Sequence, residues 1–349
     1  MPEWRRLRVL QVDSGREWRG GQNQVRLLCR ELGREAEIEQ ALVTKQGSEL
    51  AQRAAAGGVR VLGTAWEIGL DPRAWWHLRR TIAAFQPDVI HVHDSHALTL
   101  VAAVAMGREI VATRRVEFHI GRFGSWRRPD RIIAISAAVK NVLIADGIAS
   151  GAVVVVHDGI DVDEVRRAGA VPLDVRRQAG IPASAAIAVA AAALTGEKDH
   201  RTLIRAARYA RAQRQELHWV IAGAGKLRES LAAEIQRLGL GDRVHLIGHV
   251  DRVDALIAAA SVFVLSSKSE GLGSVVLNAL ALGRPVVATA AGGVPEILPP
   301  EVLVPVEAAE ALAQKVVDVL DHPAPVPFPP GFTATAMAQG VLDVYRTLL

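Results

Sequence analysis

The chain of 349 residues contains a single cysteine, Cys29. An intrachain disulfide is therefore impossible, and zinc sites built from several cysteines are excluded. No apolar run approaches the roughly 18 residues that a membrane-spanning helix needs. Residues 1–6 lack the apolar core of a signal peptide. These absences predict a protein of the cytoplasm.

A strong charge of either sign is absent too, since the formal net charge is only +4. Such a small excess gives no reason to expect nucleic acid as a partner. The positive excess lies within residues 1–129, which leaves two interpretations open. It is either a solvated arginine-rich surface or a surface for an anionic acceptor or the anionic leaflet of a membrane. Hydrophobic residues make up 50% of the chain, enough for two buried cores, and the length also favours two domains.

Short runs rich in valine and isoleucine alternate with helical patterns along most of the chain. The runs predict strands at 7–12, 39–44, 59–62, 88–93, 109–113, 131–135, 153–157, 186–191, 217–222, 243–247, 262–265, 285–289 and 301–304. Helices are predicted at 21–32, 73–85, 97–106, 201–214, 227–238, 274–282, 308–320 and 335–348. This alternation indicates parallel sheets with right-handed crossovers. The fold class is therefore α/β.

The pattern pauses at residues 157–182, where glycines and prolines interrupt any long element. We place a domain boundary near residue 168. The prediction is an N-terminal Rossmann-like domain at 1–168, a C-terminal one at 169–330 and a terminal helix at 331–349 that returns to the N-terminal domain. The carboxyl ends of parallel strands are the usual ligand sites of such sheets, so we expect a cleft there between the two domains.

The most informative segment follows the predicted strand 262–265. Glu270 ends a polar stretch, and Gly271 and Gly273 then allow close backbone approach to a ligand. A helix begins near Ser274 with free N–H groups, and Asn278 lies about one turn further on. A carboxylate beside such N–H groups suits a polyhydroxylated ligand that carries phosphate.

Two further turns favour anions. Lys198 follows the first strand of the C-terminal domain and precedes a helix, where its ammonium group can contact a diphosphate. Gly20 and Gly21 lie between the first strand and the first helix, an arrangement that exposes backbone N–H groups. A third glycine turn, Gly223 and Gly225, follows the strand at 217–222.

The stretch from Glu270 to Asn278, followed by Gly283-Arg284-Pro285-Val286, resembles the retaining glycosyltransferases of family 4. The resemblance extends over nearly the whole chain. It implies the GT-B fold, in which two Rossmann-like domains face each other across a cleft. It also implies transfer from a nucleotide-diphosphate sugar, linked to UDP or GDP, to a hydroxyl acceptor without a cofactor or metal. The acceptor expected from the family is lipid-linked or a polysaccharide precursor. The basic excess of residues 1–129, rather than the resemblance, is the ground for expecting peripheral contact with an anionic membrane.

The resemblance also assigns roles to individual residues. It implies that His93, Lys198 and Glu270 are catalytic. The donor would be bound by Gly20, Gly21, Lys198, Gly223, Gly225, His249, Val250, Glu270, Gly271, Leu272, Gly273, Ser274 and Asn278. The residues on the acceptor side would be Asp94, His96, Arg114 and Arg115.

Two positions depart from the family pattern. Asn278 stands where the family has a second glutamate, which weakens charge-assisted bonds to the ribose. Ala193 stands where the family has an arginine that accompanies the lysine at position 198. His200 or Arg201 could compensate for that missing charge, as could Arg114 or Arg115.

Other interpretations stay open at this stage. His91, His93, His96 and Asp94 could form a metal site, although the remaining histidines are scattered. A nucleotide-sugar 2-epimerase or a non-catalytic sugar-nucleotide-binding protein would share the fold. A nicotinamide dehydrogenase is disfavoured because the full glycine fingerprint is absent. The tryptophans 66, 75 and 76 fit either a lipid-facing patch or helix packing.

Overall fold

The computed structural model describes residues 6–66 and 71–349. Residues 1–5, which supply most of the evidence against a signal peptide, lie outside this part of the chain. The chain divides into two compact units. Unit 1 comprises Met1–Gly159 and Gly331–Leu349, and unit 2 comprises Ile160–Pro330.

Seven parallel strands form the sheet of unit 1. They are β1 Leu7–Val12, β2 Ile38–Lys45, β3 Val61–Thr64, β4 Val89–Val92, β5 Glu109–Arg114, β6 Arg131–Ala134 and β7 Val153–Val155. Their order in the sheet is β3-β2-β1-β4-β5-β6-β7. The central strand β4 is buried along its whole length, which explains why its sequence is an apolar run without period-two alternation.

Five helices of unit 1 connect these strands: α1 Gly20–Leu32, α2 Glu49–Ala56, α3 Pro72–Phe85, α4 Ser95–Val104 and α5 Ala137–Ala145. Side-chain caps fix where several of them begin. Ser48 accepts a hydrogen bond from the backbone of α2, and Asp71 and Ser136 do the same for α3 and α5. Two of the five, α2 and α5, were not predicted from the sequence.

Unit 2 has a sheet of six parallel strands. They are β8 Ile187–Ala191, β9 His218–Ala222, β10 Val244–Gly248, β11 Val262–Leu265, β12 Val286–Thr289 and β13 Leu303–Val304. The order β10-β9-β8-β11-β12-β13 repeats the order of the first six strands of unit 1. The two predicted parallel α/β sheets are therefore confirmed.

Seven helices accompany this sheet: α6 Val162–Gly169, α7 Val175–Ala179, α8 His200–Ala210, α9 Arg228–Arg237, α10 Val253–Ala258, α11 Val275–Ala281 and α12 Ala309–Asp321. Helix α6 contacts α10 and α11. The units therefore divide before α6, at residue 159, rather than near residue 168. The first turn of α6 is capped by Asp161, which allows a short helix within a stretch rich in glycine and proline.

The last helix, α13 (Ala334–Arg346), belongs to unit 1. Its apolar face packs against α1 and joins the core beneath β1, β4 and β5. Met337, Val341, Leu342 and Tyr345 are buried there. Unit 1 is thus completed by residues that follow unit 2 in sequence.

Over residues 6–66 and 71–349, every helix is too short or too polar to cross a lipid bilayer.

Candidate functional site

The site in unit 2 begins where β8 and β11 end. These neighbouring strands form the point at which the strand order reverses, so the loops after them diverge and leave room for a ligand. The loop after β8 carries Lys198 on a short 3₁₀ turn, Gly196–Lys198. The loop after β11 carries Glu270. The Lys198 Nζ and Glu270 Oε1 atoms are 2.6 Å apart.

Glu270 is held from several sides. Its Oε1 also accepts a hydrogen bond from Ser267 Oγ at 2.7 Å, and its backbone carbonyl accepts one from the Gly293 N–H. The side chains of Glu270 and Lys198 are 8% and 25% exposed. The Glu270 side chain is therefore largely buried, whereas that of Lys198 is partly exposed. Two residues that lie 72 positions apart in sequence thus form one charged centre.

The glycine turn after β9 lies directly against the loop of Lys198. A Cβ atom on Gly223 would be 1.9 Å from the Ala192 carbonyl oxygen, and one on Gly225 would be 2.5 Å from that of Leu194. Both glycines also adopt positive φ, near +154° and +158°. Only glycine fits this close approach, so the turn determines where the loop after β8 lies.

The segment after Glu270 leads into α11 as predicted. Gly273 adopts φ +80°, and a Cβ there would be 2.9 Å from Val294 Cγ2. Leu272 is buried, whereas Gly271 and Ser274 are partly exposed. The amide of Asn278 donates a hydrogen bond of 2.7 Å to Asp254 Oδ1 on α10. Burial raises the pKa of Asp254.

His249 and Val250 follow β10 on the same sheet. His249 is exposed, and its Nε2 is 3.1 Å from Asp251 Oδ1, while Val250 is partly buried. The structure therefore places these two residues at the strand's carboxyl end, and their side chains form no hydrogen bond or ion pair with Lys198 or Glu270 among the described residues.

The charge missing at Ala193 is not supplied by its neighbours in unit 2. His200 is buried, its Nε2 contacts the Ala193 carbonyl at 3.2 Å, and burial lowers its pKa, so the ring is neutral near pH 7. Arg201 forms an ion pair with Glu234 at 3.6 Å. In the structure, therefore, neither His200 nor Arg201 replaces the positive charge that is absent at Ala193.

In unit 1, Arg115 lies beside the glycine pair that begins α1. Its Cδ is 3.9 Å from where a Cβ of Gly21 would be, and its Nε is 3.3 Å from Asp158 Oδ2. No side chain caps the first turn of α1, which begins at Gly20. Arg114 has a different environment, because its guanidinium lies over the Trp126 ring and donates to the Phe118 carbonyl. Of the two arginines, Arg115 is the one that lies beside the glycine pair at the start of α1.

His91 and His93 lie next to each other at the end of β4, with ring centroids 4.2 Å apart. Both are buried, and burial lowers both pKa values well below the ordinary range, assisted by the positive charge of Arg115. Both rings are therefore neutral near pH 7. Both ring nitrogens of His91 contact protein groups, and His93 Nε2 lies 2.8 Å from Gln11 Oε1.

Asp94 holds the loop at Ser14 in place and also borders a cavity. Its carboxylate accepts bonds from the backbone N–H and the hydroxyl of Ser14 and caps α4 through the N–H groups of His96 and Ala97. The loop at Ser14 borders a cavity of about 370 Å³. This cavity is lined by Ser14, Gly15, Arg16, Glu17, Arg19, Gln22, Trp66, Asp94 and His96.

Trp66 is only 2% exposed and lines this cavity, so the lipid-facing interpretation is wrong for it. Trp75 and Trp76 on α3 are 37% and 55% exposed. No sequence pattern marks Trp66 or Gln22 as cavity residues. Gln11 was also overlooked, although a glutamine inside an otherwise apolar strand is a recognisable signal.

Within the described part of the chain, no three side chains of histidine, cysteine, aspartate or glutamate converge as metal ligands. His91, His93 and Asp94 have the protein partners given above instead.

Two family models match the chain, one in each half. The model described as Glycosyltransferase Family 4 matches residues 18–164, and the model described as Glycosyl transferases group 1 matches residues 173–327. The chain belongs to the family 4 glycosyltransferases. The resemblance inferred from the segment around Glu270 is thereby confirmed.

Curated relatives agree with this assignment. The glycosyltransferase is 26% identical to a 2-deoxystreptamine glucosyltransferase of Streptomyces kanamyceticus, over 74% of this chain and 69% of the relative. It is 32% identical to a D-inositol 3-phosphate glycosyltransferase of Streptomyces avermitilis, over 58% of this chain. The latter alignment spans 46% of the relative's length.

Solved structures show the same fold. The glycosyltransferase is similar to HepE of Anabaena in complex with UDP and glucose, with a TM-score of 0.80, 17% identity, and coverage of 98% of this chain and 100% of that one. It is also similar to sucrose-phosphate synthase of Thermosynechococcus elongatus, with a TM-score of 0.73, 21% identity, and coverage of 98% and 99%. These likenesses establish the GT-B type of fold.

Proposed function

We propose that this glycosyltransferase transfers a sugar from a nucleoside diphosphate donor to a hydroxyl acceptor, with retention of the anomeric configuration and without a metal ion. The observation that carries the proposal is the Lys198–Glu270 pair, with Nζ and Oε1 2.6 Å apart, at the switch point of the unit 2 sheet. A carboxylate can accept hydrogen bonds from sugar hydroxyls, and an ammonium group beside it can contact the phosphates. Solved relatives that bind UDP and UDP-glucose support this class of donor.

The reaction requires stabilisation of negative charge on the leaving diphosphate. As the glycosidic bond breaks, negative charge develops on the phosphate oxygens while the acceptor hydroxyl attacks from the same face. Lys198 would stabilise that charge, together with the backbone N–H groups near Gly271 and Gly273. A proton leaves the acceptor hydroxyl for a phosphate oxygen, so that the nucleoside diphosphate departs with it.

Asn278 remains suited to the ribose despite the change from glutamate. Because its Nδ2 donates to Asp254, its Oδ1 is oriented away from that bond as an acceptor. Asn278 is partly exposed, so a ribose hydroxyl can reach it. We propose that the Asp254–Asn278 pair replaces the second carboxylate of the family pattern. Asn278 would contact the ribose, and the Asp254 carboxylate would act on the ligand only through its hydrogen bond with Asn278.

In unit 1 we propose that the cavity bordered by His96, Glu17 and Trp66 accepts the hydroxyl-bearing substrate. Its volume of about 370 Å³ lies within the range of small-molecule sites. Arg115 and the N-terminus of α1 would add positive charge for a phosphate, either of the donor or of the acceptor.

We also propose peripheral contact with an anionic membrane during synthesis of a cell-surface glycan or glycolipid in the cytoplasm. Phe118 and Phe123 are 58% and 89% exposed, and the Arg122 guanidinium lies 5.8 Å from the Phe123 ring. Exposed aromatic and basic side chains together favour an anionic lipid surface. Co-sedimentation with vesicles containing phosphatidylglycerol, but not with neutral phosphatidylcholine vesicles, is expected, and Phe123→Ser should weaken it.

The first test is a thermal-shift screen of UDP- and GDP-sugars. A nucleotide sugar at 100 times its Kd should stabilise the protein by roughly 2.7 kcal/mol. The product made from the best donor is then analysed by NMR for its anomeric configuration. Formation of an epimer without any acceptor would instead identify a 2-epimerase, and inversion would refute retention.

The second test uses variants of the charged pair. Lys198→Ala and Glu270→Ala should each abolish most of the transfer, whereas Lys315→Ala and Glu310→Ala, on α12, should retain it. Binding of the nucleotide sugar with no transfer to any acceptor would support a non-catalytic protein. Unchanged rates in both site variants would exclude the role assigned to the pair.

A further inference from the structure

Five buried side chains behind the glycine turn of unit 1 form one continuous chain of hydrogen bonds. Thr113 Oγ1 is 2.7 Å from His91 Nε2, and His91 Nδ1 is 2.6 Å from the Tyr345 hydroxyl. Gln11 Nε2 lies 3.2 Å from the same hydroxyl, and Gln11 Oε1 is 2.8 Å from His93 Nε2. This series of hydrogen bonds therefore ends at His93, the histidine that the family resemblance places in the active site.

These residues come from four elements of unit 1. Gln11 lies on β1, His91 on β4 and Thr113 on β5, while Tyr345 reaches them from α13. All are buried, and Tyr345 is 0% exposed. The terminal helix thus contributes a polar group as well as apolar packing to the interior of unit 1.

The donors and acceptors along this chain determine each other. The Tyr345 hydroxyl accepts from the Gln11 amide N–H and so donates its only hydrogen to His91 Nδ1. His91 then donates from Nε2 to Thr113, and His93 donates from Nε2 to the Gln11 carbonyl. In this arrangement His93 Nδ1 carries the lone pair. Among the described residues it is buried and has no hydrogen-bond partner.

The charge states of these groups are compatible with this assignment of donors and acceptors. Burial lowers the pKa of His91 and His93, and the positive charge of Arg115 lowers both further. Burial also raises the pKa of Tyr345 above its ordinary range, so the hydroxyl keeps its hydrogen. All members are therefore neutral near pH 7, and a neutral imidazole has one donor and one acceptor nitrogen.

We propose that Tyr345 and Gln11 are positioning residues that hold His93 with its proton on Nε2 and leave Nδ1 as an acceptor for a substrate hydroxyl. This role rests on the proposed function, because it assumes that His93 touches the sugar or the acceptor. A buried lone pair without a donor is costly, and a hydroxyl of a bound carbohydrate supplies the missing hydrogen.

The test compares Tyr345→Phe with Tyr209→Phe, since the chain has only two tyrosines and the second is 48% exposed on α8 in unit 2. Both substitutions remove one hydroxyl and nothing else. The first readout is the tautomer of His93, measured from imidazole ¹⁵N shifts of the full-length protein without ligand. We expect the Nε2–H form in the wild type and in Tyr209→Phe, and a mixture of tautomers in Tyr345→Phe.

The second readout is release of UDP from UDP-glucose. Loss of one hydrogen bond in the chain should lower kcat about tenfold with little change in KM. Tyr345→Phe should have no further effect in a His93→Gln background, because its influence acts through His93. Gln11→Met, which removes the contact with His93 directly, should reproduce the change in tautomer even if Tyr345→Phe fails to fold.

An Nδ1–H form of His93 in the wild type would overturn the proposal. So would an unchanged tautomer in both Tyr345→Phe and Gln11→Met. So would a fall in kcat that persists in the His93→Gln background, which would indicate a purely structural role for Tyr345. The NMR readout needs no substrate. If the tautomer responds as expected but no nucleotide sugar binds, the proposed function fails while the positioning role of Tyr345 and Gln11 for the His93 ring stands.

Discussion

At the scale of single residues, the Lys198–Glu270 pair combines a buried carboxylate with a partly exposed ammonium group. If Glu270 is removed, water can hydrate the partly exposed Lys198 side chain. If Lys198 is removed, the carboxylate of Glu270 stays largely buried without its partner charge. We therefore expect Lys198→Met to destabilise unit 2 by about 3 kcal/mol, the lower end for breaking a buried pair. Glu270→Gln should cost about 1 kcal/mol, since glutamine can still accept from Ser267.

Urea unfolding of both variants measures this difference. The double variant Lys198→Met/Glu270→Gln should be more stable than Lys198→Met alone, because it no longer buries an unpaired charge. Equal losses in the two single variants would show that Glu270 is hydrated despite its burial.

Asp13, directly after β1, gives unit 1 a pH dependence. Burial and the charge of Asp94 raise the pKa of Asp13 to about 6. The folded state therefore holds a proton that the unfolded chain loses near pH 4, so stability is fully present below about pH 4 and falls as the pH rises through about 6. Relative to Asp13→Asn, the wild type should lose about 2 kcal/mol between pH 4 and pH 7, since the unfolded carboxyl group is already partly ionised at pH 4.

Chemical denaturation across this pH range checks the expectation. Asp88→Asn is the matched control, since both carboxylates accept a backbone N–H: Asp13 that of Gly15 at 2.8 Å, and Asp88 that of Arg8 at 2.9 Å. This variant retains Asp13 and should keep the wild-type slope. A wild type and an Asp13→Asn variant with parallel pH profiles would contradict the prediction.

At the same scale, the sequence located Glu270, Lys198 and Gly273 because each follows a recognisable strand and precedes a helix. It could not show which partners they have. The Asp254 contact of Asn278 and the Glu234 contact of Arg201 depend on side chains from other helices. Such pairings arise from tertiary packing and leave no local pattern in the sequence.

At the scale of elements, the turn at Gly223 decides where the loop of Lys198 lies. Gly223→Ala would place a Cβ 1.9 Å from a backbone carbonyl and also strain the positive φ. A loss of at least about 2 kcal/mol is expected, together with weaker nucleotide-sugar binding. Gly196→Ala is the control, since nothing lies within 4 Å of its added Cβ although Gly196 is two residues from Lys198.

Thermal denaturation and titration with the nucleotide sugar give the two measurements. The Gly196→Ala variant should stay within about 0.5 kcal/mol of the wild type. If the Gly223→Ala variant were as stable and bound as tightly, the close approach of the two loops would not matter.

Elements also differ in how well the sequence predicts them. Strands in a doubly covered parallel sheet are continuous apolar runs, so all the strands of the structure were found, with ends shifted by a few residues. Helices α2, α5, α6, α7 and α10 were missed. They have five to nine residues, too few for a helical period to stand out. Except for α10, each of them starts at a single side-chain cap such as Ser48.

At the scale of the whole molecule, the two units differ in continuity. Unit 2 is one segment, Ile160–Pro330, with its own sheet and core. Residues 1–159 lack α13, whose removal would expose Leu27, Leu28 and Leu32 on α1. We expect a fragment of residues 160–330 to unfold cooperatively and a fragment of residues 1–159 to lack cooperative unfolding.

Urea titrations followed by circular dichroism and NMR dispersion test this difference. A synthetic peptide of residues 331–349, added to the fragment 1–159, should restore dispersed signals. An equal peptide with Leu342→Asp should not, because Leu342 is buried in the shared core. Cooperative unfolding of residues 1–159 without any peptide would refute the expectation.

The return of α13 to unit 1 also sets an order of events on the ribosome. Residues 160–330 are made between the two parts of unit 1, and at roughly 5–20 residues per second their synthesis takes on the order of ten to thirty seconds. During that interval the nascent first half exposes the apolar groove that α13 later fills, while the second half can already close its own core. The half that is translated first therefore matures last and is the one that a chaperone would need to shield.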